Sequence, residues 1–278
     1  MDSLDHSATR LQQQCNRKTR GNHDSFESHR QQVTSILVAA GQRDQPGDQT
    51  LLILGVGNGN DVDLDVIATC YRSITLADID IEAVNHCMSQ LSPTTCEKIN
   101  IVAPVDLSGV FDQLPESGSP SGSLQEVIAA AQSPSVKPEI EPADIVVSTC
   151  LMSQLFDSVH QLVGESHPEY LPLVFAVRDG HLDLLRRLSK PGGKTILITD
   201  FVSSDTLPQL TQVHDQQLMS LLMQSVEQRN FFTGLNPAVL IQKLSGDTPL
   251  TPEAVHPPWR WHMGPRVFGV IAIETQWM

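Results

Sequence analysis

The stretch "LLILGVGNGNDVDLD", residues 51–65, decides the fold. Its apolar start, 50–54, reads as a buried parallel strand, since a strand covered on both faces has no polar face to alternate with. Gly55, Gly57 and Gly59 follow. Closely spaced glycines let the main chain approach a ligand and aim the next helix's N-terminus at it. The dinucleotide fingerprint GxGxxG would need glycine at position 60, which is Asn60. The loop is GxGxG, and it suits a nucleoside better than a pyrophosphate.

Working outward, "DLDVIATCY" (63–71) reads as a helix and "SITLADID" (73–80) as a second buried strand. "IEAVNHCMSQL" (81–91) is helical, and "INIVAPVDL" (99–107) is a third strand. This βαβαβ order predicts a parallel sheet with right-handed crossovers. Residues 113–142 turn rich in Ser, Pro and Gly around a crossover helix at 123–131, and read as a flexible insertion. A fourth strand is predicted at 143–149, the end of a helix at 182–190 and a fifth strand at 193–201. Residues 207–244 read as mainly helical, broken by "FFTGLNP", and "RVFGVIAIETQW" (266–277) as a terminal β segment. Upstream, apolar positions 33, 36, 37 and 40 give a helix over 25–40 one buried face. Residues 1–24 are polar and read as a loose tail or a poorly packed helix.

Three strand ends carry groups suited to one ligand. The glycines end the first strand, Asp78 ends the second where it can accept from both ribose hydroxyls, and Asp106 closes the third where it can accept from an exocyclic amine such as adenine's. Together they predict an adenosine site at the carboxyl edge of the sheet.

The order "LLILGVGNG", "ITLADID", "IVAPVDL", "ADIVVSTCLMSQL", "LSKPGGKTILITDF" resembles the class I S-adenosylmethionine-dependent methyltransferases from about residue 50 to 201, and "RVFGVIAIE" resembles their final antiparallel strand. The resemblance implies a doubly wound α/β fold: a mostly parallel seven-stranded sheet with the last strand reversed and helices on both faces. It implies S-adenosylmethionine as cofactor, with Gly55, Gly57 and Gly59 under its methionine part, Asp78 on the ribose, Asp106 on the adenine amine, and Ser148 in the cofactor-binding set. One position departs from the family, which usually carries an acid two residues before the first glycine; here that residue is Ile53. The cofactor's ammonium then needs another partner, a backbone carbonyl near Gly55 or the carboxylate of Asp61 or Asp63, with Asp63 also placed to favour a helix N-terminus. The domain reading is an N-terminal helical extension or lid at 1–44 and a methyltransferase domain at 45–278, with a helical substrate cap at 202–258.

Methyl transfer from a sulfonium is an in-line displacement, so alignment matters more than any universal catalytic group. After the fourth strand stands "STCLMSQLFDSVH" (148–160), which lacks the Asp/Asn-Pro-Pro-aromatic run of amino-methylating nucleic-acid enzymes and the Pro-Cys of base C5 methylation. No aspartate stands there for a catechol-type metal or for aminopropyl transfer, and Cys150 reads as a small buried residue. What remains is a small-molecule O, N or C acceptor. His160 and His262 are the candidate catalytic bases, since neutral His takes a proton near pH 7, and Asp157 lies beside the first. "NFFTGLNP" (230–237), Trp259 and Trp261 on one strand face, and Phe26, His29 and Arg30 on the N-terminal helix are candidate walls of the acceptor pocket. Arg178 and His181 sit in a leucine-spaced helix and read as scaffold.

Composition narrows the classes. Lys and Arg number 18 against 32 Asp and Glu, a net charge of −14, which opposes a nucleic-acid backbone. Five cysteines without a CxxC pair and ten scattered histidines without HExxH predict no metal site and a reducing compartment. No apolar run approaches the ~20 residues of a membrane span, and the N-terminus lacks a signal-peptide pattern. The expectation is a cytoplasmic protein without nucleic-acid or membrane partners, monomeric or homodimeric. The rival readings are a non-catalytic binding module on the same fold, a nicotinamide-dependent oxidoreductase, which Asn60 opposes, and a nucleic-acid methyltransferase.

Overall fold

A computed structural model describes residues 7–42, 47–111, 123–245 and 254–277. Residues 113–122 of the expected insertion lie outside the described residues, as does 246–253 of the expected cap. Seven strands form one sheet: β1 Thr50–Leu54, β2 Ser73–Ala77, β3 Ile99–Val102, β4 Ala143–Thr149, β5 Ser189–Ser203, β6 Trp259–Met263 and β7 Arg266–Gln276. Their order is β3-β2-β1-β4-β5-β7-β6. Strands β1 to β5 pair in parallel, and β7 runs antiparallel to both β5 and β6. This is the doubly wound, mostly parallel sheet with a reversed last strand that the sequence predicts.

The apolar run of β1 is continuous because both faces are covered. Leu52 and Leu54 join Val146 and Leu197 in one core, while Leu51 and Ile53 join Ile145, Val147 and Ile198 in the other. The two-residue period therefore sends Ile53 into the core under helix α2 (Glu27–Gln42), where it is fully buried.

Helices fill the crossovers. Asp63 caps α3 (Leu64–Ile67) by accepting from Val66 N, and Asp80 caps α4 (Ile81–Met88) by accepting from Glu82 N and Ala83 N. The remaining described helices are α1 (Ser7–Thr19), α5 (Pro93–Cys96), α6 (Leu124–Gln132), α7 (Leu151–Val163), α8 (Tyr170–Arg187), α9 (Asp215–Glu227) and α10 (Pro237–Ser245). Helix α8 crosses α6 so closely that a Cβ on Gly180 would stand 1.8 Å from the Ala131 carbonyl oxygen.

Two expectations are corrected here. Of the two readings of 1–24, a loose tail or a poorly packed helix, the described part is a helix, α1, and it is docked on the glycine loop rather than poorly packed. Strand β3 ends at Val102, so Asp106 does not close it but lies in the loop beyond Pro104, which has no N–H to continue a ladder. Among the described residues no helix is long and apolar enough to cross a membrane, and none of their His, Cys, Asp and Glu form a metal-binding group.

Candidate functional site

The winding of the sheet reverses between β1 and β4, and ligands of open α/β sheets bind in the crevice outside the strands' carboxyl ends at such a point. A cavity of about 870 Å³ opens there. Gly55 and Gly57 line it after β1, Asp78 after β2, Cys150 and Leu151 after β4, and Asp200 near the end of β5.

All three loop glycines are left-handed, with φ of +78°, +51° and +73° at Gly55, Gly57 and Gly59. Their surroundings differ. A Cβ on Gly55 would strike Leu151 at 2.9 Å and one on Gly59 would strike Cys87 Sγ at 2.4 Å, so both serve close packing. A Cβ on Gly57 would meet only the Asn16 side chain, at 3.4 Å, which makes Gly57 the glycine open to the cavity. The Gly57 N–H donates to Asp78 Oδ2 at 2.8 Å, and the Asp80 N–H donates to Asp78 Oδ1 at 2.8 Å. Asp78 therefore fixes the loop while its carboxylate lines the cavity. Burial raises its pKa to about 6, against the pull of those backbone donors.

The other expected cofactor residues lie elsewhere. Asp106 is buried and turns into its own loop: Oδ1 accepts from the Ser108 N–H and hydroxyl at 2.7 and 2.6 Å, and Oδ2 from the Phe111 N–H at 2.9 Å. It shapes a loop whose Val105, Leu107 and Phe111 line the cavity, and does not line it itself. Ser148 is fully buried with its hydroxyl 2.9 Å from His181 Nε2, away from the cavity wall. Of the two candidate bases, His160 lines the cavity from α7, half exposed, 3.6 Å from Glu165 and edge-on to Tyr170. His262 is exposed and alternates with Trp261 and Met263, the β6 residues that line the cavity.

Of the expected wall residues, Phe26, Phe231, Phe232 and Trp261 line the cavity, while Trp259, His29 and Arg30 do not. Phe231, Phe232 and Leu235 line one side. Strand β5 shifts register against β7 between Asp200 and Val202, and the intervening Phe201 carbonyl accepts the Phe232 N–H at 2.7 Å, tethering that wall to the sheet. Trp261 and Phe26 form another side. Over the top lies α1: Asn58 Nδ2 donates to the Asn16 carbonyl at 2.7 Å, Asn60 Nδ2 to the Thr19 carbonyl at 2.9 Å, and Asn16 Nδ2 to Asp80 Oδ2 at 2.9 Å. Asn60, which breaks the dinucleotide fingerprint, thus holds the end of the covering helix.

Sequence reasoning missed the group behind the glycine loop. His29 is fully buried, and its Nδ1 accepts the Trp259 indole N–H at 3.0 Å. Because an indole only donates, the neutral ring must carry its proton on Nε2. Burial, aided by Arg30, lowers the His29 pKa to about 3, so the ring stays neutral. Nε2 stands 3.6 Å from Asp61 Oδ1 and 4.0 Å from Cys150 Sγ, and the ring stacks on Trp261 at 4.6 Å. A protonated Nε2 cannot accept the thiol proton, and burial with Asp200 and Asp61 raises the Cys150 pKa well above its usual value. Cys150, left-handed at φ +46° between β4 and α7, is thus held in its thiol form. Burial and the neighbouring Asp200 raise Asp61 to about 7, and burial raises Asp200 to about 6.

No protein-family model matches the chain, and no curated protein matches it. Among solved structures it is similar to the N-methyltransferase NodS from Bradyrhizobium japonicum WM9 in complex with S-adenosyl-L-homocysteine, at 11% identity over 88% of this chain and 86% of that one, with a TM-score of 0.41. It is similar also to the O-methyltransferase TomG from Streptomyces achromogenes in complex with SAM, at 11% identity, 92% and 88% coverage and a TM-score of 0.41. An rRNA methylase from Streptococcus thermophilus matches at 11% identity, 88% and 95% coverage and a TM-score of 0.35.

Proposed function

We propose that the chain binds S-adenosylmethionine over the Gly55–Gly57–Gly59 loop and transfers its methyl group to a small-molecule acceptor. The observation that carries this reading is the joining, in one cavity at the reversal point of the sheet, of an open left-handed Gly57 and the buried Asp78 carboxylate that clamps it. When bound, the cofactor supplies a methyl group on a positively charged sulfur.

Asp78 would accept from the ribose hydroxyls, and Ile79, Val105, Leu107 and Phe111 offer apolar surface for the adenine beside it. Asp106 serves the site indirectly, by holding the loop that carries the last three. Asp61 and Asp200 line the wall, burial raising both and Asp200 adding to the rise of Asp61, and in their ionised forms they would favour a cation there. The volume of about 870 Å³ falls within the 300–1,000 Å³ of small-molecule sites. Phe156, Phe231, Phe232 and Trp261 would then enclose the acceptor and exclude water, and His160, which lines the wall, would take a proton from it. The chain's charge of −14 and the acids of the cavity favour a small acceptor over a nucleic acid.

The test is transfer of label from methyl-tritiated S-adenosylmethionine to pools of small phenols, amines, thiols and carbon acids. A labelled product that His160→Ala slows, with cofactor affinity kept, supports the reading. Saturable cofactor binding without transfer to any pool would favour a binding module on this fold.

A further inference from the structure

The cavity carries more negative than positive groups. Five carboxylates line it, Asp61, Asp78, Asp157, Glu165 and Asp200, against two permanent cations, Lys18 and Arg266. Asp61 and Asp78 follow β1 and β2, beside the glycine loop. Asp157 lies six positions after Leu151 at the start of α7, about 9 Å of helix beyond the end of β4. Ser153, Asp157 and His160, at i, i+4 and i+7, give α7 a polar face on the cavity.

Asp157 is exposed, and it forms no hydrogen bond or ion pair with a described residue. The two cationic groups that act on it, His160 and Arg266, are engaged elsewhere. Arg266 sets Nε 2.7 Å from Asp205 Oδ2 and donates from Nη2 to Ser203 Oγ at 3.1 Å, and His160 Nδ1 stands 3.6 Å from Glu165. Asp200, tied to Ser153, is near enough for its charge and that of Asp157 to repel. Among the described residues these acids do not converge into a metal-binding group. The cation they suit is an organic one.

An aromatic strip supplies the matching apolar surface. Trp261 and Phe268 have ring centroids 5.3 Å apart, Phe268 and Phe232 6.3 Å apart, and all three rings belong to residues that line the cavity. The strip already takes a cation of the protein's own, since the Arg266 guanidinium stands 4.7 Å from the Phe268 centroid.

We propose that the methyl acceptor is an amine on a flat apolar body, its ammonium group received by Asp157 and its body laid along the Trp261–Phe268–Phe232 strip. This rests on the methyl-transfer reading and names the substrate class within it. An ammonium nitrogen has no free lone pair, so a proton must leave before transfer. His160, one turn beyond Asp157, takes it and becomes imidazolium; the freed lone pair forms the nitrogen–methyl bond as the methyl–sulfur bond breaks, its electrons staying on sulfur. The nitrogen regains its positive charge, which Asp157 continues to balance.

Two matched series of probes test this on the full chain saturated with S-adenosylhomocysteine: phenethylamine, phenethyl alcohol and phenylpropionate, then tryptamine, tryptophol and indolepropionate. Calorimetric titration should show wild type binding each amine about five- to a hundredfold more tightly than its alcohol, the range from a solvent-screened ion pair to a charged hydrogen bond out of water, with the carboxylate weakest. Asp157→Asn should bring the amine down to the alcohol and leave S-adenosylhomocysteine affinity within about twofold. Amines that bind no better than alcohols, carboxylates that bind best, or an amine preference that survives Asp157→Asn would overturn the inference, while binding of S-adenosylhomocysteine keeps the cofactor reading. Wild type that fails to bind S-adenosylhomocysteine overturns both. If Asp157→Asn does not fold, the wild-type series still decides whether the cavity selects an amine.

Discussion

Helix α1 is polar, and side-chain amides rather than apolar burial tie it to the glycine loop, so a double substitution Asn58→Ala/Asn60→Ala should loosen it selectively. The change deletes the Asn58 bonds to the Asn16 carbonyl (2.7 Å) and the Thr19 hydroxyl (3.3 Å), and the Asn60 bond to the Thr19 carbonyl (2.9 Å). A neutral hydrogen bond contributes about 0.5–1.5 kcal/mol net, so two amides contribute about 1–3 kcal/mol to docking. The lower end is favoured, because Asn58 Oδ1 is already buried without a partner and its removal relieves that cost. Asn16 to Asp80 and the Gln12–Gln154 pair persist, so the helix stays docked but opens more often. Hydrogen exchange read by mass spectrometry should show α1 amides exchanging about five- to a hundredfold faster, with β1, β4 and β5 unchanged. Unchanged α1 protection in a folded variant, or acceleration spread evenly across the sheet, would refute the claim that these amides hold the cover.

Three further outcomes follow from the same geometry. His29 takes up a proton in the unfolded chain near 6.5 but only near 3 when folded, so its contribution is present above pH 6.5 and lost as pH falls towards 3. The stability gap between wild type and His29→Gln should therefore shrink by about 3 kcal/mol from pH 7 to pH 4, measured by urea unfolding; a constant gap would mean the ring is not held neutral by Trp259 and its burial beside Asp61, Arg30 and Cys150. Gly180→Ala drives a methyl into the Ala131 carbonyl and should lower stability by about 1–3 kcal/mol or more, seen as a depressed Tm. Ser148→Ala strands a buried His181 nitrogen and should lower stability by about 1–3 kcal/mol, yet leave S-adenosylhomocysteine affinity within twofold in calorimetry.

The sheet was legible because its signal is local: continuous apolar strands, glycines after the first, acids capping the helices that follow. Asp63 shows this at single-residue scale, since a short acid ahead of an apolar run is a cap wherever the helix lies. Asp106 shows the limit. Its sequence setting resembled a strand end, but β3 stops at Val102 and three donors of its own loop take its oxygens. Ser148 sits at a strand end, but its buried hydroxyl faces His181. The His29–Trp259 bond joins residues 230 positions apart, and no spacing rule reaches across that interval. The docking of helix α1 was not legible, because its anchors are asparagine amides in the very loop read as a ligand cradle.

The central claim, a cofactor site on the glycine loop, is tested most directly by calorimetric titration of the folded full chain with S-adenosylhomocysteine, beside Asp78→Ala. The account predicts one saturable site per chain, weakened by the substitution by about 1.5–3 kcal/mol as a charged acceptor is lost, with NAD showing no heat of binding. Folded wild-type protein that gives no heat with S-adenosylhomocysteine, or that binds it equally well without Asp78, would contradict it.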